Sequence, residues 1–211
     1  GYYTRKIADQ GLIGFMVAGS AEGVSPWGSR EMILGTNPIS IGIPRKAEPI
    51  VIDLATAKWS YGDLSLAMME GRSIPEGIVL DKDGNPSTDP HDADNGSQLP
   101  MGDHKGYALG LAIEILAGPF IGAKAGVKAV PGSDGFTIMA VAPDLFVPKE
   151  IFESQVDALI DEIKNSKKRP GVMEIYYPGE RSHLKRMQNQ GQSQVEMLQE
   201  VFDRLKAIAE G

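Results

Sequence analysis

No two of the 25 glycines in this 211-residue chain are separated by a single residue, so the sequence contains no G-x-G turn. The doubly wound α/β fold that holds dinucleotides depends on that turn, because its glycines let backbone approach a pyrophosphate at a helix start. Walker A and G-x-S-x-G patterns are absent too. Whatever layers form here must be joined by other means. Ile39, Ile41 and Ile43 recur with a period of two after Pro38, which predicts a strand with one buried face. Residues 12–18, 49–54, 136–142 and 172–176 read as further strands, and residues 77–90 as strand, turn and exit loop. Helices are predicted over 3–10, 103–118, 149–164 and, through Val195, Leu198, Val201, Phe202, Leu205 and Ile208, near the C-terminus.

Residues 103–118 read DHKGYALGLAIEILAG, a strongly apolar helix with Lys105 at its mouth. A helix start carries partial positive charge from its unpaired N–H groups, so a cation there is misplaced for stability. With Pro100, Gly102 and Gly106 around it, Lys105 suits an anion site for a phosphate or a carboxylate. The plainer reading is a solvated lysine paired with Asp103.

A net charge of −7, with 21 Lys and Arg scattered rather than clustered, argues against a nucleic-acid partner and for small-molecule chemistry. The absence of cysteine excludes disulfides, thiolate metal sites and thiol nucleophiles, and suits a reducing, cytoplasmic setting. Residues 106–123 form the longest apolar stretch, but Glu114 and Pro119 interrupt it, which marks a buried helix rather than a membrane span. One compact α/β core is within reach of a chain this long that is 42% hydrophobic.

Four segments follow one another in a specific order: GTNPISIGIP (35–44), VIDLAT (51–56), LPMGDHKGYALGLAIEIL (99–116) and YYPGER (176–181). Together they resemble the type 2 malate/L-lactate dehydrogenase family, which includes ureidoglycolate and sulfolactate dehydrogenases and a cyclic imine reductase. The similarity runs from Gly1 to about Leu205. It implies a non-Rossmann α/β fold, a mixed, largely antiparallel sheet with flanking helices, binding NAD or NADP in an extended form and commonly assembling as a homodimer. It also implies an NAD(P)-dependent oxidoreductase that passes a hydride between C4 of nicotinamide and C2 of a small 2-hydroxy or 2-oxo acid such as malate or lactate.

By the same resemblance, Lys105 contacts the cofactor, in agreement with the helix electrostatics. Asp53, Leu54 and Ala55 meet the dinucleotide at a strand end, where a carboxylate can accept from ribose hydroxyls or the carboxamide. Ser20 is another cofactor contact, although Ala18 and Gly19 stand before it where Thr-Asn is usual. Gly179, Glu180 and Arg181 form a third cofactor segment, with Arg181 suited to a two-pronged grip on phosphate. Thr36 and Asn37 face the substrate, the threonine hydroxyl and free amides holding its carboxylate. Ordinary roles compete at each position: a cap for Asp53, a turn serine for Ser20, a surface ion pair for Glu180 and Arg181.

Hydride transfer also needs a proton donor, and none of His91, His104 and His183 stands out as one. The family's histidines belong to S-H-G and H-F-G segments expected upstream of Gly1. Residues 1–211 are therefore expected to form the cofactor-binding core plus C-terminal helix of a larger dehydrogenase, without its N-terminal catalytic segment. A competing, non-enzymatic reading starts from DKDGNPSTDPHDAD (81–94), whose five aspartates and one asparagine suggest calcium. An EF-hand loop needs glycine sixth and glutamate twelfth, whereas Pro86 and Asp92 stand there.

Overall fold

The computed structural model describes residues 1–128, 134–192, 194 and 197–210. They fall into two units, Gly1–Pro178 and Gly179–Gly211. The first opens with α1 (Tyr2–Ala8), β1 (Ile13–Ala18), β2 (Ile39–Ile43), β3 (Ile50–Leu54) and α2 (Tyr61–Met69). It continues with β4 (Val79–Leu80), β5 (Pro86–Ser87), α3 (Asp92–Asn95), β6 (Ser97–Gln98) and α4 (His104–Ala117), then β7 (Phe136–Val141) and α5 (Lys149–Asn165). The second unit holds α6 (Glu180–Gln190) and α7 (Gln199–Glu210).

The main sheet has the order β3-β2-β1-β7 and the smaller one β5-β4-β6. All pairings between these strands are antiparallel, and a parallel bridge joins Val24 to Gln98 outside them. Antiparallel register places strand exits beside strand entries: Val17 pairs with Ile39, Ile39 with Leu54, and Ala18 with Phe136. The ends of β1 and β3 and the starts of β2 and β7 therefore share one edge of the sheet. α1 lies over β1 and β2, and it can do so because Gly42 has no side chain; a Cβ there would run into the Thr4 carbonyl oxygen. The Thr4 and Ser40 hydroxyls meet at 2.6 Å in that interface.

α2 is a helix that the periodicity did not predict, since its apolar residues define no sharp stripe. Its start is nevertheless written in the sequence as S-Y-G-D: the Ser60 hydroxyl accepts from the Asp63 N–H at 3.0 Å, a side-chain cap for an otherwise orphaned donor. Leu64 and Ala67 on α2 are fully buried against Ile74, Ile78, Val79 and Ala93, and burying a leucine of this kind contributes about 1.5–3 kcal/mol. A second cluster, Ile50, Ile160 and Tyr177, ties β3 to α5, and the Arg45 Nε to Asp157 ion pair at 2.6 Å reinforces it.

The predicted strand at 172–176 does not form. These residues follow Pro170 and Gly171, the latter at φ +79°, and no strand among the described residues pairs with them. Tyr177 holds the segment instead, buried between Ile50 and Ile160 with the Arg45 guanidinium 5.3 Å from its ring centre. Near the C-terminus the helix begins at Gln199, after Leu198, while Val195 lies outside the described residues. α6 is a helix that the sequence reading did not predict; it starts directly after Gly179 at φ +87°.

Candidate active site

Ser20 follows β1 and Thr36 precedes β2, so the shared sheet edge brings them together from 16 residues apart. The Ser20 hydroxyl accepts from the Thr36 N–H at 2.9 Å and lies 3.2 Å from Thr36 Oγ1. Both line a cleft of about 430 Å³, within the range of small-molecule sites, whose walls also carry Glu22, Met32, Tyr61, Asp94 and Gln98. Gly35 permits this contact: a Cβ there would sit 2.5 Å from the Ser20 carbonyl oxygen and 2.6 Å from Asn37 Oδ1.

The loop is fixed from behind by buried polar groups. Asn37 takes φ +37°, has no exposed surface, and donates through Nδ2 to Gly110 O at 3.0 Å and to Glu114 Oε2 at 2.6 Å. Glu114, 7% exposed on α4, also accepts from the Gly35 N–H at 3.4 Å and from the Gly126 N–H at 2.7 Å. The Thr56 hydroxyl donates to the carbonyl oxygens of Thr36 and Asn37 at 3.1 and 3.2 Å. One carboxylate in the apolar stretch of α4 thus organises three backbone or amide donors, as a buried polar group requires. A glutamate inside a run of apolar residues is the sequence signal that exposes this role, which the motif comparison passes over. Tyr61 and Gln98 likewise escape a reading based on motifs, and Thr56, though it closes VIDLAT, is given no role by it.

The exit of β3 is stitched to the start of α4. Thr56 donates its N–H to Thr36 O at 2.9 Å and accepts from the Met101 N–H at 2.8 Å, while Lys58 donates its N–H to Leu99 O at 2.9 Å. Asp53 is half-exposed, Leu54 is 38% exposed, and Ala55 packs beside Val24, Leu34 and Ala57. Lys105 is exposed on the first turn of α4 and has no ion-pair partner among the described residues. Asp103, its expected partner, lies instead 3.6 Å from Lys58 Nζ. Gly179, Glu180 and Arg181 belong to the second unit, Gly179 just before α6 and the other two as its first residues.

Tyr61 donates its phenol proton to Asp94 at 2.9 Å, and that hydrogen bond, with burial and the carboxylate charge behind it, raises the phenol above its ordinary pKa. The acidic segment spends its carboxylates locally. Asp81 accepts from the N–H groups of Asp83 and Asn85 at 2.9 and 2.8 Å, Asp89 from the His91 N–H at 2.9 Å, and Asp92 from the Ser87 hydroxyl at 2.5 Å. Among the described residues no three His, Cys, Asp or Glu side chains are grouped to hold a metal ion.

An antiparallel sheet whose shared edge carries a hydroxyl pair over a cleft, with a buried carboxylate behind it and no Gly-rich turn, defines a non-Rossmann α/β protein. The chain belongs to the malate/L-lactate dehydrogenase family, whose sequence pattern matches residues 1–206. It is 39% identical to the L-sulfolactate dehydrogenase of Methanothermobacter thermautotrophicus, over 99% of this chain and 61% of that protein. It is 38% identical to the malate/(S)-sulfolactate dehydrogenase of Methanothermus fervidus, over 100% of this chain and 62% of that protein. The solved sulfolactate dehydrogenase of Methanocaldococcus jannaschii superposes with a TM-score of 0.88 at 37% identity, covering 100% of this chain and 62% of the other. The chain thus spans about three fifths of the length of these relatives.

Proposed function

We propose that this chain forms the cofactor- and substrate-binding core of an NAD(P)-dependent oxidoreductase that acts on a small 2-hydroxy or 2-oxo acid of the malate, lactate or sulfolactate kind. The observation that carries the reading is the Ser20–Thr36 pair over its cleft, with Gln98 Oε1 buried nearby and lacking any hydrogen-bond partner. Thr36 donates to the acid's carboxylate, and Ser20 orients Thr36 while facing the cofactor. Asn37 contributes from beneath, since its amide is committed to Glu114 and Gly110.

Lys105 pairs with a cofactor phosphate, helped by the partial charge of the α4 start. Asp53 accepts from ribose hydroxyls, Leu54 and Ala55 supply an apolar wall, and Gly179, Glu180 and Arg181 grip a further part of the dinucleotide. A bound nicotinamide supplies or takes the hydride at C4. The described residues of this chain bind and orient. Among those lining the cleft there is no histidine, and Tyr61 is shifted away from neutral pH by Asp94, the wrong direction for a proton donor.

The reading includes a homodimer in the cytoplasm. Phe136, Ile138 and Met139 on the edge strand β7 are each about half exposed, which suits association. Among the described residues no helix is long and apolar enough to cross a membrane. Titrating NADH and NADPH against the protein, followed by nicotinamide fluorescence, with Lys105→Ala beside it, tests the reading. Saturable binding that weakens in the variant supports it, and no binding of either nucleotide to the wild type refutes it.

A further inference from the structure

Thr36 stands between two residues that one carboxylate holds. Glu114 Oε2 accepts from the Gly35 N–H at 3.4 Å and from Asn37 Nδ2 at 2.6 Å, and Oε1 accepts from the Gly126 N–H at 2.7 Å. Glu114 is 7% exposed and is not among the described residues that line the cleft. The Thr36 backbone is committed as well. Its N–H donates to Ser20 Oγ at 2.9 Å, and its carbonyl oxygen accepts from the Thr56 N–H at 2.9 Å and the Thr56 hydroxyl at 3.1 Å. Of the cleft-lining Thr36, the hydroxyl is what remains to meet a ligand.

Asn37, the next residue, takes φ +37°, a left-handed backbone that favours glycine and that asparagine tolerates better than most. Such a conformation persists where the surrounding structure over-determines it. Here the Asn37 amide is fixed by Glu114 and Gly110 O, and its carbonyl oxygen accepts from the Thr56 hydroxyl at 3.2 Å. A hydroxyl already held in its bonding geometry takes up a carboxylate without first losing loop freedom. A loop that samples other orientations binds only in proportion to the time it spends in the right one.

We propose that Glu114 is a positioning residue of the acid-binding loop: without touching the ligand, it clamps Gly35 and Asn37 so that the Thr36 hydroxyl between them is pre-set for the acid's carboxylate. The inference rests on the dehydrogenase reading, in which Thr36 holds the acid, and deepens it.

Isothermal titration calorimetry, at a temperature where far-UV circular dichroism shows each variant folded, measures two affinities: NADH alone, and oxamate in the presence of NADH. Oxamate carries the carboxylate and carbonyl of a 2-oxo acid but is an amide, so no turnover is needed. Glu114→Leu and Asn37→Gly should each weaken oxamate about five- to tenfold and leave NADH within about twofold, while Glu114→Gln, which keeps an acceptor, should stay within about threefold of wild type. Glycine takes φ +37° freely, so Asn37→Gly carries the test if Glu114→Leu does not fold. In a double-mutant cycle, Asn37→Gly on a Thr36→Val background should weaken oxamate by less than about twofold further, because the hydroxyl it positions is gone. Oxamate binding unchanged in folded Asn37→Gly or Glu114→Leu, NADH weakened as much as oxamate, or the full loss repeated on Thr36→Val overturns the inference, since the carboxylate then only stabilises the fold. Wild type that binds NADH but not oxamate overturns it too. Wild type that binds neither overturns the dehydrogenase reading itself, and the inference with it.

Discussion

Removing the Glu114 carboxylate is the most direct test of how the loop is held. It accepts from Asn37 Nδ2 at 2.6 Å, the Gly126 N–H at 2.7 Å and the Gly35 N–H at 3.4 Å, and it is 7% exposed. Glu114→Leu keeps the volume and strips the acceptor from all three donors. Asn37 retains Gly110 O at 3.0 Å, but the two backbone N–H groups lose their carboxylate in a water-poor site. Orphaned buried donors cost about 1–3 kcal/mol each and bonds to a charged group about 1.5–3, so the variant should lose about 3–5 kcal/mol. That is a large part of the 5–15 kcal/mol typical of a domain. Glu114→Gln should lose less, about 1–2 kcal/mol, because one oxygen still serves Gly126 while the new NH₂ opposes Asn37 Nδ2 unless that amide turns over. Asn37 Oδ1, which has no partner, can take up that new donor after the turn. Urea unfolding followed by far-UV circular dichroism gives the midpoints, compared at a common m value. Glu114→Leu within about 1 kcal/mol of wild type, or Gln costing more than Leu, would refute the reasoning.

Thr36→Val removes the hydroxyl 3.2 Å from Ser20 Oγ and keeps the shape, so acid binding should weaken about tenfold with unfolding shifted by under about 1 kcal/mol; equal binding in calorimetry speaks against Thr36 as the carboxylate ligand. Lys105→Ala, at an exposed position, should weaken NADH about tenfold at low salt, with the gap closing as salt rises; a salt-independent gap argues against a charge contact. The carboxyl of Asp81 lies below its ordinary value of 3.8, first because the Asn85 N–H donates to it, then through the Asn85 side chain and the turn's other N–H groups. A depressed carboxyl contributes to the fold above 3.8 and loses that contribution as pH falls through the lower, folded value, so the Asn85 amide resonance should titrate with a midpoint below 3.8; a midpoint at or above it contradicts the turn.

Strand β2 was legible from the period of two in Ile39, Ile41 and Ile43, but the buried face it predicted is the wrong one: Ser40 and Gly42 are buried beneath α1, and the isoleucines are only half-buried. Residues 172–176 carry a similar pattern without forming a strand, since a ladder needs a partner with free edge groups and sequence alone does not say who that is. α2 was hidden for the opposite reason: buried at Leu64 and Ala67 and exposed at Leu66 and Met69, it has no clean stripe, and its capping serine was the better clue. At the site, Ser20 and Thr36 came from family likeness, and only coordinates could put their oxygens 3.2 Å apart. Glu114 and Gln98 matter through what surrounds them, and burial of a lone polar group cannot be seen before the fold is known.

The absence of a G-x-G turn also has a structural counterpart. In a parallel sheet every strand exits at the same end, and a glycine turn leads each exit into a helix start. Here alternation sends only β1 and β3 out at the site edge, beside the entries of β2 and β7, so the cleft is built from loops that enter and leave in opposite senses. The loop between β1 and β2 leads into a strand and cannot borrow rigidity from a following helix. The buried carboxylate of Glu114 on α4 and the Thr56 hydroxyl just beyond β3 fix Gly35, Thr36 and Asn37, the last through its own amide. Preorganisation by side-chain hydrogen bonds makes the loop depend on long-range packing, which is why a single change on α4, 79 residues beyond Gly35, should be felt at the cleft before it is felt in the sheet.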